Sequence, residues 1–262
     1  GIKYRELASP IDGVHAVAFH EAPCGSFMLV PADARLAPEG AFSFGCYVWP
    51  TRLLATPQTV LARWCEDSGR GWALQVSRDG LHLRVGGADG AIELKTDAPL
   101  EQRRWYWVQG ALDATTGEMV LSQCRLADGA LPEQRREARA TKPGGWRLDS
   151  QGPLTVAAHA LSATGGRCGA HYDGKIEAPR IAEGLLGIDA LRRCDDLARP
   201  GLADAALIAC WDFSHGIDTL EVLDRSPNRL DGRLHQLPCR GMTGVHWTCL
   251  LYTSDAADEG LG

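Results

Sequence analysis

The stretch Trp72-Ala-Leu-Gln-Val-Ser-Arg-Asp-Gly-Leu-His-Leu-Arg-Val85 determines the fold class. Apolar and polar residues alternate on both sides of Asp79-Gly80, and a period of two is that of a strand with one buried face. Asp-Gly favours a two-residue turn with positive φ. The stretch therefore predicts an antiparallel hairpin in which Trp72, Leu74 and Val76 share one face.

The same pattern recurs along the chain. Asp89-Gly90 repeats the turn, and Asp113–Gly117 predicts a longer hairpin loop closed by glycine. Further strands are predicted, each bounded by a turn or by a proline that cannot donate to a ladder, at Ser26–Val30, Phe42–Trp49, Ala91–Thr96, Trp105–Leu112, Glu118–Arg125 and Leu154–Ala158. The series predicts an all-β protein built as an antiparallel two-sheet β-sandwich.

Helix signals are sparse. One short connector helix is predicted from Ile188 to about Ala198, with Asp189 as the candidate N-cap and Pro200-Gly201 beyond its end. Residues Glu133–Lys142 contain no apolar residue larger than alanine. We predict a solvated loop there, with a ragged edge strand as the alternative.

One late strand is predicted from Leu207 to Phe213. Alternation places Trp211 and Phe213 on the same face of this strand. We predict that both side chains belong to the core.

Composition excludes several classes of function. The chain of 262 residues is 45% hydrophobic and 23% charged, with a net charge of −6, which argues against a nucleic-acid or anionic-membrane surface. No apolar run approaches the roughly twenty residues of a membrane span. The nine cysteines are scattered without CxxC pairs, so we predict thiols in a reducing bacterial cytoplasm, with extracellular disulfides as the alternative.

The two ends of the sequence predict a fragment. Gly1-Ile-Lys-Tyr4 has neither an initiator Met nor a signal region, so the natural start is expected to be missing. Cys249–Gly262 resembles the in-frame translation of a sequencing-library adapter. We therefore predict three parts: a sandwich at 1–207, a closing strand and linker at 208–248, and a non-native tail at 249–262.

The order of the segments resembles a laminin-G or concanavalin-like jelly roll between about Val14 and Leu237. Five segments support this resemblance, namely Ser26–Pro31, Phe42–Pro50, Gly71–Val85, Trp105–Gln109 with Asp113–Gly117, and Tyr172–Ile181. In that fold family, the last of them resembles the strand and turn that precede a short helix.

A narrower resemblance involves four segments after residue 206, namely Leu207–Ser214, Val222–Asn228, Asp231–Pro238 and Arg240–Trp247. With the sandwich, they resemble the large (β) subunit of N,N-dimethylformamidase and its relatives. In that family a laminin-G-like domain precedes a catalytic domain whose mononuclear iron is held by tyrosine and glutamate, and a small subunit accompanies the large one. The resemblance stops at Trp247, so it transfers no catalytic residue, metal ligand or cofactor site to this chain.

Catalytic and nucleotide motifs are weak. Gly169–Ile176 lacks the Ser or Thr that follows the lysine of a phosphate-binding loop, and Pro179 opposes a helix after it. Glu221 and Asp224 are candidate glycosidase carboxylates, but they fit a strand and turn better. No GxSxG elbow is present.

Candidates for metal or sugar binding also have structural explanations. His15 and His20 are the closest histidine pair, and no HxH or HxxxH places two ligands on one face. Asp89, Asp113 and Asp173 could bind calcium at a rim, yet each has a role in a turn. The candidate sugar-stacking tryptophans are expected to be mostly core residues: Trp49, Trp64, Trp72, Trp105, Trp107, Trp146 and Trp211.

These observations favour a non-catalytic sandwich from a truncated dimethylformamidase-like amide hydrolase. Its expected partners are the missing C-terminal catalytic domain, a small subunit and further copies of itself. The alternative is a stand-alone laminin-G-type module that binds glycans or proteins. A concanavalin-like glycosidase is disfavoured because no carboxylate pair is evident.

Overall fold

The computed structural model describes residues 25–36, 38–88, 90–129, 131–148, 152–194, 207–240 and 244–245. Within these ranges two sheets face each other and one short α-helix accompanies them. The predicted antiparallel two-sheet sandwich is therefore confirmed.

The first sheet contains ten strands in the order β15-β16-β1-β10-β3-β4-β5-β6, with β11 and β12 attached beside β3. Pairing is antiparallel except between β11 and β3. The bounds are β1 Phe27–Val30, β3 Gln58–Cys65, β4 Arg70–Ser77, β5 Gly80–Gly87, β6 Gly90–Lys95, β10 Leu154–Val156, β11 His159–Ala160, β12 Cys168–Gly169, β15 Glu221–Val222 and β16 Gly232–His235.

The second sheet contains six antiparallel strands in the order β14-β13-β2-β7-β8-β9. Their bounds are β2 Ala41–Pro50, β7 Tyr106–Asp113, β8 Glu118–Arg125, β9 Gln134–Thr141, β13 Gly174–Glu183 and β14 Leu207–Cys210. A 3-10 turn covers Ala34–Leu36, and helix α1 covers Ile188–Arg193. Within the described ranges, no helix combines the length and the hydrophobicity that a membrane-spanning helix needs.

The core lies between the sheets and follows the alternation of the strands. Trp72, Leu74 and Val76 of β4 are almost fully buried, as the sequence predicted. Trp72 stacks on Phe44 of the opposite sheet with ring centroids 3.8 Å apart. Phe44 also covers Gly110, its cross-strand partner in the same sheet, where an added Cβ would come within 2.6 Å of the Phe44 ring and 3.4 Å of Leu83 in the first sheet. The stacked rings and the bare glycine let the two sheets pack closely at this point.

Two local predictions were wrong in detail. Ser77 pairs with Gly80, so the turn consists of Arg78 and Asp79, and Gly80 with φ +136° begins the next strand. Helix α1 has Gly187 as its N-cap without a side-chain cap, and Asp189 lies in the first turn. Asp189 instead pairs with Arg135, which explains why an acidic residue stands there.

The segment predicted as a solvated loop forms β9. Residues 134–141 pair with β8 over their whole length, although most of their side chains are exposed. β9 is an edge strand, and its charged side chains are typical of edges that must not pair with other chains. The alternative interpretation from the sequence was therefore correct.

Arg180 holds α1 on the outer face of the second sheet. Its side chain is fully buried, and Nη1 donates to the carbonyls of Leu191 and Arg192 at 3.3 and 2.8 Å. The guanidinium also lies 5.1 Å from the centroid of Trp107. A cation at the end of a helix stabilises its exposed carbonyls.

The sheets extend past the predicted boundary at residue 207. β14 pairs with β13 in the second sheet, whereas β15 and β16 join the first sheet beside β1. Residues 207–235 thus contribute to both layers. Several predictions concern residues outside the described ranges: those for His15, His20 and Asp89, for Pro200-Gly201, and for the tail at 249–262.

Candidate functional site

The outer face of the first sheet brings together a serine, a histidine and a glutamate. The Oγ of Ser77 lies 2.7 Å from Nε2 of His82, and Nδ1 of His82 lies 3.0 Å from Oε1 of Glu93. Serine, histidine and carboxylate in this order form the arrangement that activates a nucleophile in many hydrolases. No linear motif predicts this group, because only the pairing of β4, β5 and β6 brings its three residues together.

We call Ser77, His82 and Glu93 the relay. The burial of its serine and histidine indicates a structural role. Ser77 is fully buried and His82 is only 4% exposed, so a substrate carbonyl has no access to the serine oxygen. The same oxygen accepts the backbone N–H of Asp79 at 3.0 Å, which closes the hairpin turn. The relay therefore joins β4, β5 and β6 through hydrogen bonds between side chains.

The signal that could have revealed the relay is the register of the two hairpins. Ser77 faces Gly80, and His82 faces Lys95 while Arg84 faces Glu93. Ser77, His82 and Glu93 consequently occupy diagonal positions on one face, where long side chains meet.

The carboxyl of Glu93 is held in its charged form. Although burial alone would raise the pKa of Glu93, hydrogen bonds from Lys95 and His82 hold that pKa below its usual value.

A second polar network lies on the same face of the sheet. The carboxylate of Glu66 accepts Nε1–H of Trp64 at 2.6 Å and lies 3.6 Å from Nε2 of His159. Nδ1 of His159 is 2.9 Å from Oγ1 of Thr59. Burial lowers the pKa of His159, and Glu66 only partly opposes this effect. The network anchors the loop that contains β11 to β3.

The two candidate glycosidase carboxylates do not act as a pair. Glu221 is exposed, whereas Asp224 is fully buried. One Asp224 oxygen accepts the N–H groups of Cys210 and Ser226 at 2.8 and 2.9 Å, and the other accepts that of Leu230 at 2.8 Å and the Ser226 hydroxyl at 2.6 Å. Asp224 thus fastens residues 224–230 to the edge of β14.

The phosphate-loop interpretation fails on the structure. Gly174 begins β13, a ten-residue strand, where a phosphate-binding loop would be followed by a helix. The ammonium of Lys175 lies 4.9 Å from the ring centroid of Trp49 in β2. Lys175 is therefore part of a cross-strand contact with an aromatic ring.

The candidate calcium residues are separated. Asp113 pairs with Ala41 at one end of β2. Asp173 lies at the other end, because the next residue, Gly174, pairs with Pro50. Ten strand residues span roughly 30 Å, so the two carboxylates cannot share an ion. Asp113 accepts the N–H groups of Thr115 and Thr116, and Asp173 lies 3.5 Å from Arg52.

Most tryptophans in the part of the chain that the structure describes are too buried to stack on a sugar. Trp64, Trp72, Trp107, Trp146 and Trp211 are at most 6% exposed. The face of Trp64 is covered by the guanidinium of Arg84 at 4.2 Å. The prediction that most tryptophans are core residues is confirmed, and Trp105 is half-buried against the cluster around Trp107.

The residues present do not fit the iron centre that the family resemblance implies. Tyr47, Tyr106 and Tyr172 are all buried, and the Tyr106 hydroxyl already accepts the N–H of Glu101 at 2.9 Å. Within the described ranges, no group of three or more His, Cys, Asp or Glu residues could hold a metal ion.

An open cavity of about 530 Å³ lies between β9 and α1. Arg135 and Arg136 line one wall, and Asp189 and Arg193 line the other. Arg135 donates to both oxygens of Asp189 at 2.8 Å and also pairs with Glu133. The pair of Arg135 and Asp189 thus holds the helix to the edge strand.

Comparison with known proteins identifies relatives over nearly the whole chain. The chain is 30% identical over 266 residues to the N,N-dimethylformamidase beta subunit of an Alcaligenes species and 29% identical over 269 residues to that of Paracoccus aminophilus. Each match includes 94% of this chain but only 34% of the relative. The chain spans about a third of these relatives, and the resemblance to their N-terminal third is confirmed. No family model matches the chain.

Solved structures are similar to this chain at low sequence identity. A candidate carbohydrate-binding protein from Bacteroides ovatus superimposes with a TM-score of 0.55 at 13% identity, covering 83% of this chain and 59% of that protein. The LG1–3 region of the laminin alpha2 chain matches with a TM-score of 0.45 at 10% identity, covering 60% of this chain and 29% of that region. The B. ovatus match supports the sandwich fold alone.

Proposed function

We propose that this chain is a non-catalytic β-sandwich domain of a larger amide hydrolase related to the large subunit of N,N-dimethylformamidase. The observation that supports the proposal is the match over 94% of this chain to about a third of a named amidase subunit. In this proposal the sandwich packs against the catalytic region or sister subunits. The chemistry belongs to the region that the match does not include.

The geometry of the polar groups supports a structural role. In the two arrangements that most resemble active sites, Ser77 and His82 of the first and Asp224 of the second are buried, and all three are engaged in hydrogen bonds that join strands or turns. Hydrolysing an unactivated amide requires an accessible nucleophile, a polarised carbonyl and a proton donor for the leaving amine. The buried groups have no access to such a substrate.

We further propose a reducing cytoplasm as the location. Seven cysteines lie in the described ranges and form no disulfide with one another, and six of them are buried. Burial raises the pKa of the Cys124 thiol to about 12 and that of Cys168 to about 11. These thiols are inert at neutral pH, as expected of cysteines that only pack in a core.

The test compares this chain with the complete gene product. Purified alone, the chain should neither hydrolyse N,N-dimethylformamide nor bind iron stoichiometrically. Extended with its natural continuation and supplied with a small subunit, it should gain iron and amidase activity together. Amide turnover by the purified chain that survives chelation and repurification would refute the proposal, as would a continuation without amidase activity.

A further inference from the structure

The outer face of the second sheet carries a hydrophobic cluster of its own. Tyr47 of β2 pairs with Trp107 of β7, and their rings meet edge to face with centroids 4.9 Å apart. Trp107 is fully buried and Tyr47 is almost so. The outer face of an antiparallel sheet can be apolar only where something shields it from water. The cluster also contains Cys124, Ala182, Ile188, Leu191, Cys194, Leu207 and Cys210.

Helix α1 shields one part of this face. Ile188 and Leu191 of the helix belong to the cluster, and the guanidinium of Arg192 lies 5.8 Å from the ring centroid of Tyr47. The helix therefore accounts for the burial of Tyr47 on a face that would otherwise meet solvent.

Two tryptophans continue this surface along the same two strands. Trp49 follows Tyr47 by two residues and Trp105 precedes Trp107 by two, so alternation places all four rings on one face. Trp105 packs against the cluster, and the ring centroid of Trp49 lies 4.9 Å from the ammonium of its cross-strand partner, Lys175. Both tryptophans are only half-buried. We call Tyr47, Trp49, Trp105 and Trp107 the aromatic strip.

The chain that follows the last strand reaches the aromatic strip. β16 ends at His235 in the first sheet, yet Val245 packs against the cluster on the second sheet. The N–H of Val245 donates to Oε2 of Glu177 at 2.7 Å, and Glu177 is the cross-strand partner of Tyr47. Gly244 is equally close, since an added Cβ there would come within 2.5 Å of the same oxygen. The polypeptide thus crosses to the outer face of the second sheet and contributes to its cover.

We propose that the region following Val245 in the longer relatives packs on Trp49 and Trp105 and completes the cover of the aromatic strip. This inference rests on the proposed function. The match includes only 34% of each dimethylformamidase beta subunit, and the shared segment is their N-terminal third. Because Val245 lies on the cluster, the region that follows begins at this surface.

The chemistry of the strip fits such an occupant. Tryptophan is enriched among the residues that dominate the energy of interfaces. A neighbour on the same polypeptide also needs less contact area than a separate molecule, because the tether gives a high effective concentration. The occupant therefore presents apolar side chains to the rings of Trp49 and Trp105.

The test is hydroxyl-radical footprinting read by mass spectrometry, which measures side-chain accessibility without a mutation. This chain and the complete gene product are oxidised side by side. Trp49 and Trp105 should be oxidised roughly fivefold more slowly in the complete product, because the centre of an interface excludes water. Ile92, 38% exposed on β6 of the first sheet, is the control and should react equally in both proteins.

Three results would overturn the inference. Equal oxidation of the two tryptophans in both proteins would show that the following region does not cover them. Protection that appears only when a small subunit is added would assign the surface to another chain. Protection already present in this chain alone would assign the cover to this chain itself or, if it is lost on dilution, to a second copy.

A variant tests whether this contact holds the two regions together. Trp49→Ser removes one ring of the strip, and Ile92→Ser is the matched control. In the complete product, Trp49→Ser should speed tryptic cleavage between the regions about tenfold, whereas Ile92→Ser should leave the rate unchanged. Urea unfolding of this chain with each change separates loss of docking from loss of the fold. An unchanged cleavage rate in a folded Trp49→Ser product would contradict the inference, and if the variant does not fold, footprinting of the parent decides.

The two proposals fail in different ways. If the complete product has iron and amidase activity but leaves Trp49 and Trp105 unprotected, the docking inference is wrong and the proposed function stands. If the complete product protects both tryptophans but lacks amidase activity, the proposed function fails and the docking surface stands.

Discussion

Replacing Asp224 by Ala should strongly destabilise the sandwich. Its carboxylate accepts three backbone N–H groups, from Cys210, Ser226 and Leu230, and a serine hydroxyl, all at 2.6–2.9 Å. An unsatisfied buried donor costs about 1–3 kcal/mol. Three orphaned N–H groups, partly rescued by water entering the site, predict a loss of roughly 3–5 kcal/mol in the free energy of unfolding.

The measurement is equilibrium urea unfolding followed by circular dichroism, with the free energy obtained by linear extrapolation. Glu221→Ala is the matched control, because this carboxylate lies three residues away and is exposed; its effect should stay within about 0.5 kcal/mol. The loss of unfolding free energy for Asp224→Asn should fall between those for Glu221→Ala and Asp224→Ala. The amide keeps one acceptor oxygen, but its N–H groups point at a backbone donor. A loss below about 1 kcal/mol for Asp224→Ala would refute the structural role of this carboxylate.

Four further outcomes are expected. Trp211→Ala should cost about 3–5 kcal/mol in urea unfolding, because the side chain is fully buried and donates to the Leu230 carbonyl; a near-neutral result would place this strand at the surface. A fluorophosphonate probe should leave Ser77 unlabelled by mass spectrometry, whereas labelling would show that the buried relay is accessible. The pKa of Asp212 is about 2 because hydrogen bonds from Ser214 and Arg225 outweigh its burial, so its stabilising effect is present above its unfolded pKa of about 3.9 and is lost as pH falls toward 2. The difference in unfolding free energy between the parent and Asp212→Asn should accordingly be about 1 kcal/mol or less at pH 6, after allowance for solvent screening, and should vanish near pH 2; a difference independent of pH would contradict this cause. Deleting residues 249–262 should change stability by less than about 0.5 kcal/mol, and a clear drop in melting temperature would contradict an adapter origin.

Local patterns predicted the hairpins well, because strand alternation and turn residues act over a few positions. Trp72–Arg78 and Leu81–Val85 became β4 and β5, and Glu118–Arg125 matches β8 residue for residue. The turn at Arg78-Asp79 shows the limit of this reasoning. A glycine with positive φ can stand either in a turn or at the first position after it, and only the pairing of Ser77 with Gly80 distinguishes the two.

Predictions were weaker where neighbours decide the structure. β3 was missed, although all eight of its residues are buried, since both faces of Gln58–Cys65 are covered and the sequence therefore does not alternate. β9 was predicted as a loop because its side chains are exposed, yet its backbone pairs fully with β8. Phe213 is only partly buried against the core, although it shares a face with Trp211 in the alternation. Burial and pairing at these positions depend on segments distant in sequence.

The sequence by itself determined the class of the fold, the main hairpins and the resemblance to an amidase subunit, because these follow from local alternation, turn chemistry and the order of segments. Only the tertiary structure decided what the polar residues do. It brought Ser77, His82 and Glu93 into one relay and enclosed the serine, and it buried Asp224 between backbone donors of its own turn and of β14. The physical reason is that accessibility and hydrogen-bond geometry arise from the packing of strands far apart in the chain, whereas a linear motif specifies only which groups are available.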